Sequence, residues 1–285
     1  MRLFNFFSKR RKKSEGILNE NFYLLDNKNG QDAVACYDID GDREYFIVNV
    51  SKFDNHVDRS GSETDVNLLR WAFTRRNFHP IMEPLVGRVS YKDLENALTS
   101  YVESQGKPKL FAIAIMTHGK DNDYIEFSDG HCVSIYKVLE PLFKKSKLNG
   151  VPKLIIGQFC RGRALISTSL DIDCSDRPET ETHKQLNTMY FFATANGTPA
   201  ARSSTRGSPF IAHFCKTFCD ENDIWKISIS INKKMAQEKL QINYERQLCK
   251  LYQVPFCNHS FTKDLIFENC DPKTSNLTSK SEKGK

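Results

Sequence analysis

Four short stretches of this chain are almost unbroken in apolar residues: YFIVNV (45–50), KLFAIAIM (109–116), KLIIGQF (153–159) and MYFFATA (189–195). A strand with one face in water would alternate apolar and polar residues, so runs like these predict strands covered on both faces, as in a parallel sheet. Between them VNLLRWAFTRRNF (66–78), YKDLENALTSYVES (91–104) and VSIYKVLEPLFKK (133–145) carry apolar residues at helical spacing. This βαβ rhythm predicts an α/β fold, a single domain with a mostly parallel central sheet and helices on both faces. Two more helices are expected at 209–219 and around 225–240, then a strand over 254–267.

One segment interrupts the rhythm. ISTSLDIDCSDRPETETHKQL (166–186) is polar and acidic, with Pro178 inside it, and predicts a long exposed loop. At 285 residues and 39% hydrophobic content, the chain can bury a large core without disulfides. Its nine cysteines are odd in number and form no CxxC pair, which favours free thiols in a reducing compartment.

In MRLFNFFSKRRKK the basic block follows a short apolar stretch, the reverse of a signal peptide, and no later segment reaches the roughly 18 apolar residues of a membrane span. The expectation is a soluble cytoplasmic protein, with the nucleus as the alternative if the basic N-terminus is an import signal. Much of the +6 net charge sits in the tails, in Lys9–Lys13 and in Lys273, Lys280, Lys283 and Lys285. With no nucleic-acid motif, neither nucleic acid nor membrane is expected as a partner. Three Asn-x-Ser/Thr triplets, at Asn196, Asn258 and Asn276, are read as chance in such a compartment.

The chemistry begins at VPKLIIGQFCRGRA (151–164), where a buried strand ends in Gln158, Cys160, Arg161 and Gly162. Open α/β sheets place their ligand crevices at the carboxyl ends of strands. The preceding apolar strand ends in Thr117, His118 and Gly119. If the two strands are neighbours, an imidazole stands beside a thiol, which is a nucleophile with its base and acid at hand. A glycine after the histidine allows close backbone approach, so the N–H groups of Gly119 and Cys160 could hold an oxyanion. A core His and a core Cys that merely end two strands would leave the same pattern.

GQFCRG, with THG on the strand upstream, resembles the caspase family, whose Gln-x-Cys-x-Gly signature follows a histidine at about this distance; here Cys160 lies 42 positions after His118. DRSGSETDVNLLRWAF resembles the segment leading into the family's first helix, ARSSTRGSPFIAHFC the start of its small subunit, and VPFCNHSFTKDLIF its last strand. The likeness runs from about residue 40 to 268. It implies an aspartate-specific cysteine endopeptidase that needs no cofactor and no metal, acting in cell death or related signalling. By motif, Arg59, Gln158 and Arg202 would form the pocket for the substrate aspartate, with Ala201 and Ser203 flanking it and Tyr244 as an aromatic wall. Two guanidinium groups are the donors that best pair a carboxylate taken out of water.

The resemblance also implies a zymogen. Residues 1–40 would be a short basic prodomain, removed at Asp26 or Asp40; residues 41–170 the large subunit; 171–187 a linker cut at Asp173 or Asp176, with Asp171 behind them; 188–268 the small subunit; and 269–285 a disordered tail. Its partners would be proteins with accessible aspartates, an upstream activating caspase, protein inhibitors, and a second copy paired through the 254–267 strand. The sequence departs from the family at Phe159, Thr117 and Ser62, and most consequentially at Ala201, where an aromatic is usual. The rival reading is a weakly active or inactive regulator that heterodimerises with an active relative. Proteases of this fold that accept basic residues would need an acidic pocket, which Arg59 and Arg202 oppose. A metal site at His213, Cys215 and Cys219 lacks a fourth ligand and reads as core.

Overall fold

The computed structural model of the chain describes residues 35–144, 146–162, 186–244 and 247–267. Asp26, Asp171, Asp173 and Asp176 lie outside the described residues, with nearly all of the expected linker and the C-terminal tail.

In chain order the described elements are β1 (Arg43–Val50), α1 (Ser62–Arg75), β2 (Phe78–Pro80), β3 (Leu85–Gly87), α2 (Tyr91–Glu103), β4 (Leu110–Met116), β5 (His118–Lys120), β6 (Tyr124–Glu126), β7 (Cys132–Ser134), α3 (Ile135–Lys144), β8 (Lys153–Gln158), β9 (Thr188–Phe192), α4 (Pro209–Asp220), α5 (Ile224–Ala236), β10 (Leu240–Tyr244), β11 (Gln247–Leu251) and β12 (Phe256–His259). The main sheet runs β12-β9-β8-β4-β1-β2, with β3 also on β1. All its pairings are parallel except that of the edge strand β12 with β9.

The four apolar runs form β1, β4, β8 and β9, and their side chains alternate between two cores. Tyr45, Ile47, Leu110, Ala112, Ala114, Leu154, Ile156, Met189 and Phe191 pack with residues of α1, α4 and α5. Phe46, Val48, Phe111, Ile113, Ile115, Ile155 and Phe192 pack with residues of α2 and α3. Each large apolar side chain removed from water contributes about 1.5–3 kcal/mol, so this double covering fixes the strands that carry the site.

The helices follow from local signals. At α2, Ser90 and Asp93 form a reciprocal capping box, and Leu94, Leu98, Tyr101 and Val102 turn one face inward. At α4, Pro209 occupies the first turn, where its missing N–H costs nothing.

Three expected elements differ in extent. The strand over 254–267 is in the main sheet only at Phe256–His259; beyond it the backbone turns away, and Asp264 and Ile266 bridge instead to Cys36 and Asp223. The last helix stops at Ala236, and the chain then forms the antiparallel hairpin β10–β11. The helix expected from residue 133 begins at Ile135, because Cys132–Ser134 pairs with β6 as the third strand of a small antiparallel sheet.

Candidate active site

The adjacency that the chemistry requires is present: β4 and β8 are neighbours, with Met116 opposite Gln158 and the Thr117 N–H donating to the Gln158 carbonyl at 3.2 Å. His118 and Cys160 each follow two residues beyond that pair and so leave the sheet at the same level. Gly119 is required by close approach, since a β-carbon there would collide with the Cys160 carbonyl and press on Phe159. The two strand ends open onto a cavity of about 230 Å³ lined by Arg59, Thr117, His118, Gln158, Phe159, Cys160, Ala200, Ala201 and Arg202.

The loop after β1 holds the His118 ring in place. Nε2 lies 2.7 Å from the Val57 carbonyl. A carbonyl only accepts, so Nε2 carries the proton and Nδ1 keeps a free lone pair. Phe53 and His56 pack on the ring at centroid distances of 4.7 and 4.0 Å. Burial drives the His118 imidazolium down to about 4, against the opposing pull of the Val57 hydrogen bond, and His56, Arg59 and Arg202 push the same way as burial. Near neutral pH His118 is therefore uncharged and able to accept a proton. The half-buried Cys160 thiol receives the Ala200 N–H at 3.4 Å.

Across the cavity stand two guanidinium groups with no carboxylate at ion-pairing distance among the described residues. Arg59 is 2% exposed. Its Nη1 donates to Asn49 Oδ1 at 2.8 Å and to the Val50 carbonyl at 3.3 Å. Asn49 is held in turn by Ser62 Oγ at 3.0 Å. Arg202 donates from Nε to the Ser60 carbonyl at 3.2 Å. The turns carrying the two arginines interlock at Gly61, whose φ is +83° and where a β-carbon would strike the carbonyls of Ser203 and Ser204.

The acid that acts most strongly on both arginines is already committed: Asp65 accepts from the Ser208 N–H and hydroxyl at 2.7 and 2.6 Å. Burial, with Arg202 nearby, lowers Arg59 to about 9; burial also lowers Arg202. Gln158 Nε2 donates weakly to the Ala201 carbonyl at 3.4 Å, and its Oε1 is buried without a partner among the described residues. An incoming carboxylate would meet donors already in place and would relieve the repulsion between them.

The remaining site residues are placed less uniformly. Ala201 lines the cavity, its N–H held by Gln253 Oε1 at 2.7 Å. Ser203 does not line it: its backbone bridges Gly207, and its hydroxyl accepts from the N–H groups of Thr205 and Arg206. Tyr244 ends β10, and its side chain lies outside what is described. Asp40 is exposed just ahead of β1. Cys215 is fully buried and Cys219 packs against the same core, whereas His213 bonds Glu238 at 2.6 Å.

Sequence reasoning missed the groups that orient His118. The Val57 carbonyl is backbone and leaves no signal in residue type. His56 and Phe53 lie in DNHV and SKFD, where only the aromatic residues hint at a ring cluster.

The caspase-domain family model matches residues 45–266. The crystal structure of caspase-1 from Spodoptera frugiperda superimposes with a TM-score of 0.70 at 21% identity, covering 87% of this chain and 98% of that one. No curated protein sequence matches. The family match spans the main sheet and both strand ends that meet at the cavity, and the chain belongs to the caspase family of cysteine proteases.

Proposed function

We propose that this chain is an endopeptidase that cuts peptide bonds after aspartate, made as a zymogen and acting in cell death or related signalling. The observation that carries the reading is the pair of carboxylate-free guanidiniums, Arg59 and Arg202, in the cavity that also holds Cys160 and His118. The aspartate carboxylate of the substrate binds between them, with Gln158 beside it, and brings the following peptide carbonyl to the thiol. His118 Nδ1 takes the thiol proton and the sulfur attacks the carbonyl carbon. The N–H groups of Gly119 and Cys160 hold the resulting oxyanion, a donor type worth about 10²- to 10³-fold in rate each. Collapse expels the amine, which leaves with the proton from His118. Water, deprotonated by the same imidazole, then hydrolyses the thioester and frees the thiol.

Activation follows from cutting the 171–187 linker at Asp173 or Asp176. Loss of residues before Asp26 or Asp40 would remove the prodomain; Asp40 is exposed and accessible to a protease. The unpaired side of β12 is the proposed dimer contact. It is an edge strand whose Phe256 is 39% exposed, with Val254 beside it at 50%, and an open edge of this kind pairs readily with a second copy.

A library of fluorogenic tetrapeptides incubated with wild type and Cys160→Ala, alongside intact mass of the protein itself, tests the whole reading. Release after aspartate alone, lost in the variant together with self-cutting near Asp173 or Asp176, is the expected result. A folded, linker-cut protein that turns over no peptide would instead favour a regulatory partner of an active relative.

A further inference from the structure

A second imidazole sits against His118. His56, in the loop between β1 and α1, has its ring 4.0 Å from that of His118, and Phe53 contacts both rings. The His56 side chain is 41% exposed, and its Nδ1 lies 3.8 Å from Glu126 Oε1. Glu126 pairs directly opposite His118 in β5–β6, and its side chain is only 12% exposed. Its other oxygen lies 3.4 Å from Lys120 Nζ.

The remaining charges around His56 are accounted for. In its own loop Asp54 is taken by Arg88, and Asp58 by Lys52 at 2.9 Å. On β5 stand His118 and Lys120, on β6 Glu126, and across the cavity Arg59 and Arg202. A nearly buried carboxylate thus faces His56 from one side while the proton-accepting ring of the site faces it from the other. A purely packing residue at this position would need neither the carboxylate nor an imidazole.

We propose that His56 is a positioning residue for His118: it stacks on the ring and, when it carries a proton opposite Glu126, it keeps His118 unprotonated and able to accept the proton of Cys160. The inference rests on the reading that His118 is the base for Cys160. The sign follows from electrostatics. A positive charge about 4 Å away disfavours a second positive charge on His118, so His118 is protonated only at lower pH than it would be alone. At that distance, with water-like screening, the effect is about fivefold in proton affinity. When His56 is neutral, this effect vanishes.

The test is an NMR titration of ¹³C-labelled imidazoles in Cys160→Ala and in Cys160→Ala/His56→Phe, in which phenylalanine keeps the ring packing but cannot titrate. The His118 proton affinity is expected to rise about fivefold when His56 is replaced. An unmoved His118 titration would overturn the proposal and leave His56 as packing. If His56→Phe does not fold, Cys160→Ala alone decides: coupled rings each show the other's titration as a second inflection, and independent single curves refute the coupling. Because the titration needs no turnover, an inactive wild type would sink the protease reading without touching this result.

Discussion

Arg161, beside Cys160 in sequence, and Arg59, which lines its cavity, are treated in opposite ways. Arg161, next to the thiol in sequence, is matched completely: its Nε and Nη2 reach the two oxygens of Asp123 at 2.5 and 3.0 Å, Nη1 reaches the Thr194 carbonyl at 3.2 Å, and the guanidinium lies over Phe192 and Phe256. Tyr136 donates to the same carboxylate at 3.1 Å. Arg59 is buried as deeply, yet among the described residues it has only an amide oxygen and a backbone carbonyl. The difference separates structure from function. A buried charge with its counterion holds the loop behind the thiol, whereas a buried charge without one is poised for a ligand that brings the anion.

If that contrast is right, the two groups respond differently to truncation. Arg59→Met should cost about 10³-fold in kcat/KM toward aspartate substrates, because the site rejects what it cannot pair. Its melting temperature should change much less than its activity, since no ion pair is broken; parallel kinetics and calorimetry check this. Asp123→Ala should do the reverse, lowering stability by about 3–5 kcal/mol by stranding Arg161, as read by urea unfolding. Comparable stability losses in the two variants would break the comparison. Arg202→Ala should lose less than Arg59→Met, about 10²-fold, because this guanidinium is partly exposed and works in higher dielectric.

A further effect is expected in stability against pH. The folded protein keeps His118 neutral down to about 4, while the unfolded chain protonates it near 6.5. Between those values the unfolded state holds more protons, so this histidine's contribution lowers stability as pH falls through the window and is absent above it. Replacing His118 by Gln should flatten that part of the stability–pH curve.

How much of this was legible in the sequence depended on the size of the signal. The four apolar runs located the main strands to within three residues, because covering both faces of a strand demands continuous apolar residues. The β5–β6–β7 sheet, three residues per strand, was not legible: segments that short carry no periodicity, and His118 was read only as the residue after a strand. VPFCNHSFTKDLIF reads as one strand because its apolar residues are spread throughout, but the backbone leaves the sheet after His259. At the site, Arg59, Gln158 and Arg202 could be named by resemblance, yet nothing in DRSGS or AARSS tells a buried arginine from a surface one. The Asp123–Arg161 pair joins residues 38 positions apart and was invisible for the same reason.

The central claim, that unpaired guanidiniums beside Cys160 select a carboxylate, is tested most directly by comparing kcat/KM for two peptides identical except for aspartate or asparagine before the scissile bond. The account predicts a preference for aspartate of about 10⁴-fold or more that collapses in Arg59→Met. Equal cleavage of both peptides by wild type would contradict it.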